Sequence, residues 1–133
     1  MRFTLFAACL LGGTSVVMGA IGGHAAGASH TAWMTGVFMG MLHALAAMLS
    51  VQLSPQTKLA AISARSFVVG GALFGASIWI KILLWGAHRT ELANAERSPA
   101  ELAVAMMAPL GGMTLIASWI LLAIACLQIK PRA

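Results

Sequence analysis

Aspartate is absent from this 133-residue chain, and three glutamates, Glu91, Glu96 and Glu101, supply all of its acidic side chains. A Ser-His-Asp catalytic set is therefore excluded. No paired acid and base stands out elsewhere, so the chain is read as non-catalytic, with no cofactor. Cysteine is limited to Cys9 and Cys126, and there is no C-x-x-C or H-x-x-x-H spacing for a metal. Both cysteines fall toward the cytoplasmic ends of their segments in the topology argued below. In a reducing compartment they are expected to be packing residues without a disulfide. The Gly22-Gly23 and Gly111-Gly112 pairs do not follow strands, so dinucleotide and phosphate-loop readings fail. Charge is scarce as well. Charged residues make up 8% of the chain and hydrophobic ones 60%, which leaves a soluble helical protein no polar face to show to water.

What the chain does contain is four apolar stretches, at 3–23, 31–53, 62–86 and 102–129. Each is long enough to cross the hydrocarbon layer, which takes about 20 residues of helix. In lipid such helices satisfy their own backbone groups. The fold class is therefore all-α and integral to the membrane. Short connections predict four transmembrane helices in one up-and-down antiparallel bundle, a single domain over 1–133. The net charge of +5 comes from residues at helix ends and loops, which fits lipid phosphate rather than nucleic acid. Arg2, Lys58, Arg65, Lys130 and Arg132 fall on one face, against Arg89 and Arg97 on the other with Lys81 near it. This asymmetry predicts that both termini are cytoplasmic. The first stretch also has the features of a signal peptide, with Arg2 before an apolar run and small residues in HAAGA, but is read as a retained span.

Small residues recur every fourth position: Ser15, Gly19 and Gly23; Ala32, Gly36, Gly40 and Ala44; Gly71 and Gly75; Ala108 and Gly112. They share helix faces and allow close packing in lipid. Ser98-Pro99-Ala100-Glu101 predicts a capping box with Pro in the first helical position, and Ser54-Pro55 a similar start for the third helix. Pro109 removes a backbone bond to Ala105, so a kink is expected beside Gly111 and Gly112. Trp33, Trp79 and Trp85 suit an aromatic belt, whereas deeper Trp119 is expected to pack on a neighbouring helix.

Four histidines invite a metal reading. His24 leaves the membrane with the first span, while His43 lies about twelve residues into the second, ~18 Å deeper, so the two cannot share an ion. A histidine at His43's depth needs a partner, and a bond between helices is the plainer reading beside a functional one. His24, His30 and His88, with Glu91, could gather at one surface, but nothing in their spacing sets ligand distances. Lys81 most simply snorkels; a lipid head group or quinone carbonyl is the alternative. The polar segment containing His88, Arg89, Glu91, Glu96 and Arg97 is a solvated loop or a docking site for another subunit.

Three patterns in order carry a family likeness: Gly19-Ala20-Ile21-Gly22-Gly23-His24, Leu42-His43-Ala44-Leu45 and Ala108-Pro109-Leu110-Gly111-Gly112, with Phe74-Gly75-Ala76-Ser77 adding support. The chain resembles the domain-of-unknown-function 423 family, small four-helix membrane proteins that include the transmembrane protein 256 group. The resemblance implies a bacterial inner membrane or mitochondrial location, of which the bacterial one is expected here, and no established activity. It also implies departures: the family's longer charged first connection and its Tyr before the second-helix His are missing here, where Leu42 precedes His43. The expected function is an accessory subunit or assembly factor of a larger membrane complex, respiratory or quinone-linked complexes among them. A small oligomeric transporter or channel lined by His43 and Pro109 is the alternative.

Overall fold

The computed structural model describes residues 1–25, 27–86 and 97–129. These form four helices: α1 (Arg2–Ala25), α2 (His30–Leu53), α3 (Lys58–Trp85) and α4 (Pro99–Gln128), with a short 3-10 turn at Gly27–Ser29 before α2. There are no strands among the described residues. Each helix is long and apolar enough to span a membrane. Leu10, Phe38, Leu45, Met113, Ile116 and Ile120 face outward, as lipid requires of a bundle whose helices are apolar all round.

Successive helices run antiparallel, as the contacts between them require. Gly12 and Gly19 meet Ala44 and Val37, Gly36 meets Trp79, and Gly70 meets Leu115. The bundle is not an even square. α3 is its central helix, packed most extensively on α4 and α2, while α1 rests mainly on α2 and touches α3 lightly. Two apolar layers fill the interior. One holds Ala8, Ala46, Ala47, Phe67, Leu115 and Leu122; the other holds Trp33, Val37, Trp79 and Ile82.

Lipid tails are as apolar as leucine, so burial alone does not join these helices; close packing and hydrogen bonds do. The tightest seam is α3–α4. A methyl group on Gly111 would stand 2.8 Å from the Gly70 carbonyl oxygen and 2.8 Å from the Phe74 amide nitrogen. The four-residue spacing expected Ala108 and Gly112 on the seam of this helix; instead Gly111 makes the approach and Gly112 has room beside Phe74. On α1–α2, Gly40 leaves the space that the Ser15 hydroxyl occupies.

The helix ends follow local chemistry. Ser98 accepts from the Glu101 amide, and the Glu101 carboxylate accepts from the Ser98 amide, completing the predicted capping box with Pro99 behind it. The expected start at Ser54-Pro55 is corrected. Ser54 caps the end of α2, its hydroxyl donating to the Val51 carbonyl at 2.7 Å, and Thr57 caps α3. Thr57 also donates to Gln128 at 2.9 Å, tying the start of α3 to the end of α4.

Candidate functional site

Three tryptophans aim their indole N–H groups at other helices: Trp33 and Trp79 are buried, and Trp119 is 43% exposed at the edge of the bundle. Trp33 is fully buried and donates its indole N–H to the Met18 carbonyl, 2.6 Å away on α1. Trp79 donates to the Trp33 carbonyl on α2 at 3.4 Å. Trp119 donates to His43 on α2 at 3.2 Å. Each indole therefore links its own helix to another. The room for them comes from glycine: a side chain on Gly22 would collide with the Trp33 ring, and one on Gly36 would lie 2.9 Å from the Trp79 nitrogen. The aromatic-belt expectation is corrected for Trp33 and Trp79. Both are buried, with ring centroids 6.5 Å apart, because glycines on facing helices admit them and main-chain carbonyls accept their N–H groups.

His43 is the candidate centre. It is 3% exposed and lies near the middle of α2. Its Nδ1 is 2.7 Å from the Met39 carbonyl oxygen, and its Nε2 faces the Trp119 indole. The chemistry of the partners assigns the proton. A carbonyl only accepts and an indole N–H only donates, so Nδ1 carries hydrogen and Nε2 does not. This is the neutral ring in one tautomer, with both nitrogens occupied. A second proton on Nε2 would set donor against donor. Phe67 completes the cluster, 5.7 Å from the His43 ring and 5.0 Å edge-on from Trp119. α2, α3 and α4 thus meet at a single aromatic point.

Five buried hydroxyls are engaged too. Ser15, Ser50 and Ser118 donate to carbonyls one turn back, and Ser77 to Phe74. Ser63 crosses from α3 to the Ser118 carbonyl on α4 at 2.8 Å. No buried side-chain nitrogen or oxygen among the described residues lacks a partner.

The other expected site residues do not converge on His43. Pro109 sits on the outward face of α4, whose helix continues through it. Lys81 is half-buried in the last turns of α3. His24 belongs to the last turn of α1, and its side chain lies outside the described residues, as do His88, Arg89, Glu91 and Glu96. Arg97 is half-buried just before α4. Among the described residues no group of three His, Cys, Asp or Glu could hold a metal ion. Cys9 and Cys126 are exposed on the outer surface, which corrects their expected role as packing residues.

One residue of each sequence motif has a clear physical role in the bundle. Gly22 houses Trp33, His43 receives Trp119, Gly75 adjoins Trp79, and Gly111 closes the α3–α4 seam. A family model described as protein of unknown function (DUF423) matches residues 18–112. The chain belongs to this family. No curated protein and no solved structure matches it. The match runs from Met18, whose carbonyl accepts from Trp33, to the end of the Pro109-Leu110-Gly111-Gly112 motif. Trp119 lies beyond it, so the acceptor side of the His43 pair falls within the matched segment and the donor side outside.

Proposed function

We propose that the chain is a non-catalytic membrane subunit or assembly factor that acts by docking to a larger complex, respiratory or quinone-linked complexes being the first to test. The fate of the intramembrane polar groups carries this reading. The two ring nitrogens of His43, three indoles and Ser15, Ser50, Ser63, Ser77 and Ser118 are all engaged in holding helices together or in closing a helical turn. Chemistry or ion passage at the midplane usually needs an ionisable group facing a cavity. His43 instead faces Phe67 and Trp119. The transport alternative needs His43 and Pro109 on one path, but one points inward and the other outward within this chain.

What remains for recognition is the outside. α4 packs chiefly on α3 and presents Met106, Met113, Ile116, Ile120 and Leu127 outward, a face suited to a neighbouring membrane helix. The polar segment around residues 91–97 is the second candidate surface. The test is co-purification from native membranes in mild detergent, with the parent chain and a variant in which 91–97 is replaced by a neutral Gly/Ser linker. A stoichiometric partner that weakens on exchange places docking at that segment. Unchanged co-purification moves docking to the outer face of α4. Recovery of monomer or homo-oligomer alone overturns the subunit reading and favours transport.

A further inference from the structure

α1 and α3 run in the same direction and are imperfectly joined. Leu11 reaches Gly71, but on the outer side of that contact the two helices part. The result is an open groove of about 390 Å³, walled by Leu10, Thr14 and Met18 on one side and Ala72, Ala76 and Leu83 on the other. From Ala7 to Met18 it follows α1 for ~16 Å, the reach of much of an acyl chain. Toward the start of both helices it continues through Ala7 and Val68, which belong to both hollows, into a second hollow of about 260 Å³. That hollow is bounded by Phe3, Thr4 and Arg65.

Charge separates this groove from an ordinary lipid-facing furrow. Arg65 is exposed at its mouth, and Arg2 directly precedes Phe3 and Thr4, which bound the same hollow, with its guanidinium 5.0 Å from the Phe3 ring centroid. No acidic side chain of the sequence lies on α1, α2 or α3; Glu91, Glu96 and Glu101 all follow α3. Neither guanidinium therefore has a carboxylate from these helices to pair with. Arg65 lies two turns inside α3, ~10 Å from Lys58 along the axis, and lines the hollow from an exposed position, from which a long side chain can snorkel toward phosphate level.

We propose that this face binds one anionic phospholipid, with the phosphate held by Arg65 and Arg2 and an acyl chain in the α1–α3 groove. The guanidinium fork is suited to phosphate oxygens, and the apolar walls to the chain below. Selectivity for a net negative lipid over a zwitterionic one follows from two cations without a compensating anion.

Native mass spectrometry of the detergent-solubilised chain tests this, with phosphatidylglycerol and phosphatidylcholine of identical acyl chains added at equal concentration. One phosphatidylglycerol adduct should be retained in preference. Arg65→Gln should weaken it about tenfold and weaken phosphatidylcholine less, so that the preference for the net negative lipid narrows. Ala72→Leu with Ala76→Leu should displace the lipid although both arginines remain, whereas Lys58→Gln should have no effect. Excess glycerol phosphate should not compete, because the chain contributes to binding. If Arg65→Gln does not fold, Arg2→Gln in the exposed first turn carries the same comparison. Equal retention of both lipids, or indifference to the groove-filling pair, overturns the proposal. So does a protein dimer that the groove-filling pair disrupts, which would give the groove to a second copy of the chain.

Discussion

Removing the indole donor from His43 is the sharpest perturbation this structure offers. Trp119→Phe keeps an aromatic ring against Phe67 but deletes the N–H, leaving Nε2 of a histidine that is 3% exposed without a donor. An unpaired buried acceptor costs about 1–3 kcal/mol in a soluble core. Inside membranes measured couplings are smaller, averaging about 0.6 and reaching about 1.7 kcal/mol, because the unfolded segment also finds partners. Trp119→Phe should therefore destabilise the bundle by about 1 kcal/mol. His43→Leu should cost more, since it strands the indole N–H of Trp119 in lipid and removes the bond to Met39. His43→Gln should be milder than His43→Leu, because its amide oxygen can still accept. In the double variant His43→Leu/Trp119→Phe neither polar end remains, so its cost should fall short of the sum by about 0.5–1.5 kcal/mol. Unfolding by SDS titration in mixed micelles, followed by far-ultraviolet circular dichroism so that the lost tryptophan does not alter the signal, gives all four corners. A coupling within about 0.3 kcal/mol of zero would refute the pair. Nitrogen-15 spectra of labelled histidine give an independent check, because the partners require the Nδ1-protonated neutral ring; an Nε2-protonated one contradicts them.

Gly111→Ala should destabilise by about 1–3 kcal/mol, since its methyl meets the Gly70 carbonyl and the Phe74 amide at 2.8 Å. Gly112→Ala, with its nearest neighbour 4.0 Å away on Phe74, should be neutral or slightly stabilising in the same titration. Ser98→Ala breaks the capping box and should cost about 1 kcal/mol, read as fraying at the start of α4 by hydrogen exchange. Single cysteines at Asn94 and Ala133 in a background without Cys9 and Cys126 should react with an impermeant reagent from opposite sides of the membrane, Ala133 from the cytoplasm; labelling of Asn94 from the cytoplasm alone overturns that topology.

The lengths of the four helices were legible because lipid leaves a chain little choice. Unbroken apolar runs of this size have to be helices, and they have to be packed on one another by small residues. His43 was legible for a related reason, as a polar ring deep in an apolar run. Its partner was not. Trp119 is 76 residues away, and whether its indole points to α2 or to lipid depends on the rotation of α4 about its own axis. The same limit explains Trp33 and Trp79. Sequence position tells how far along a helix a tryptophan sits, and both do sit toward one end. It does not tell which way the ring points, and here glycines on the facing helices turn both inward. Gly70 was not singled out, and Gly111 was read beside the Pro109 kink rather than as the seam residue, because a four-residue spacing in α4 favours Ala108 and Gly112, one position round the helix. The signal that could have found them is pairwise: the two glycines face each other only in the correct antiparallel register.

Rotation is also where the three indoles have their effect. Four apolar helices in lipid gain nearly the same dispersion energy in many rotational settings, so van der Waals contact alone selects weakly among them. A single inward N–H with one acceptor removes most of those settings, because any other leaves the donor without a partner in hydrocarbon. Trp33 sets α2 against α1, Trp79 sets α3 against α2, and Trp119 sets α4 against α2. The family match covers the first two donors and stops before the third. It also begins after Arg2 and after Ala7 to Thr14, which line much of the α1 side of the groove. The matched segment therefore covers the last turns of α1, all of α2 and α3, and the part of α4 that makes the Gly111 seam. The Trp119 donor that sets the rotation of α4 and most of the α1 wall of the groove come from the flanking stretches, and those are the parts in which the proposed docking and lipid binding should be tested first.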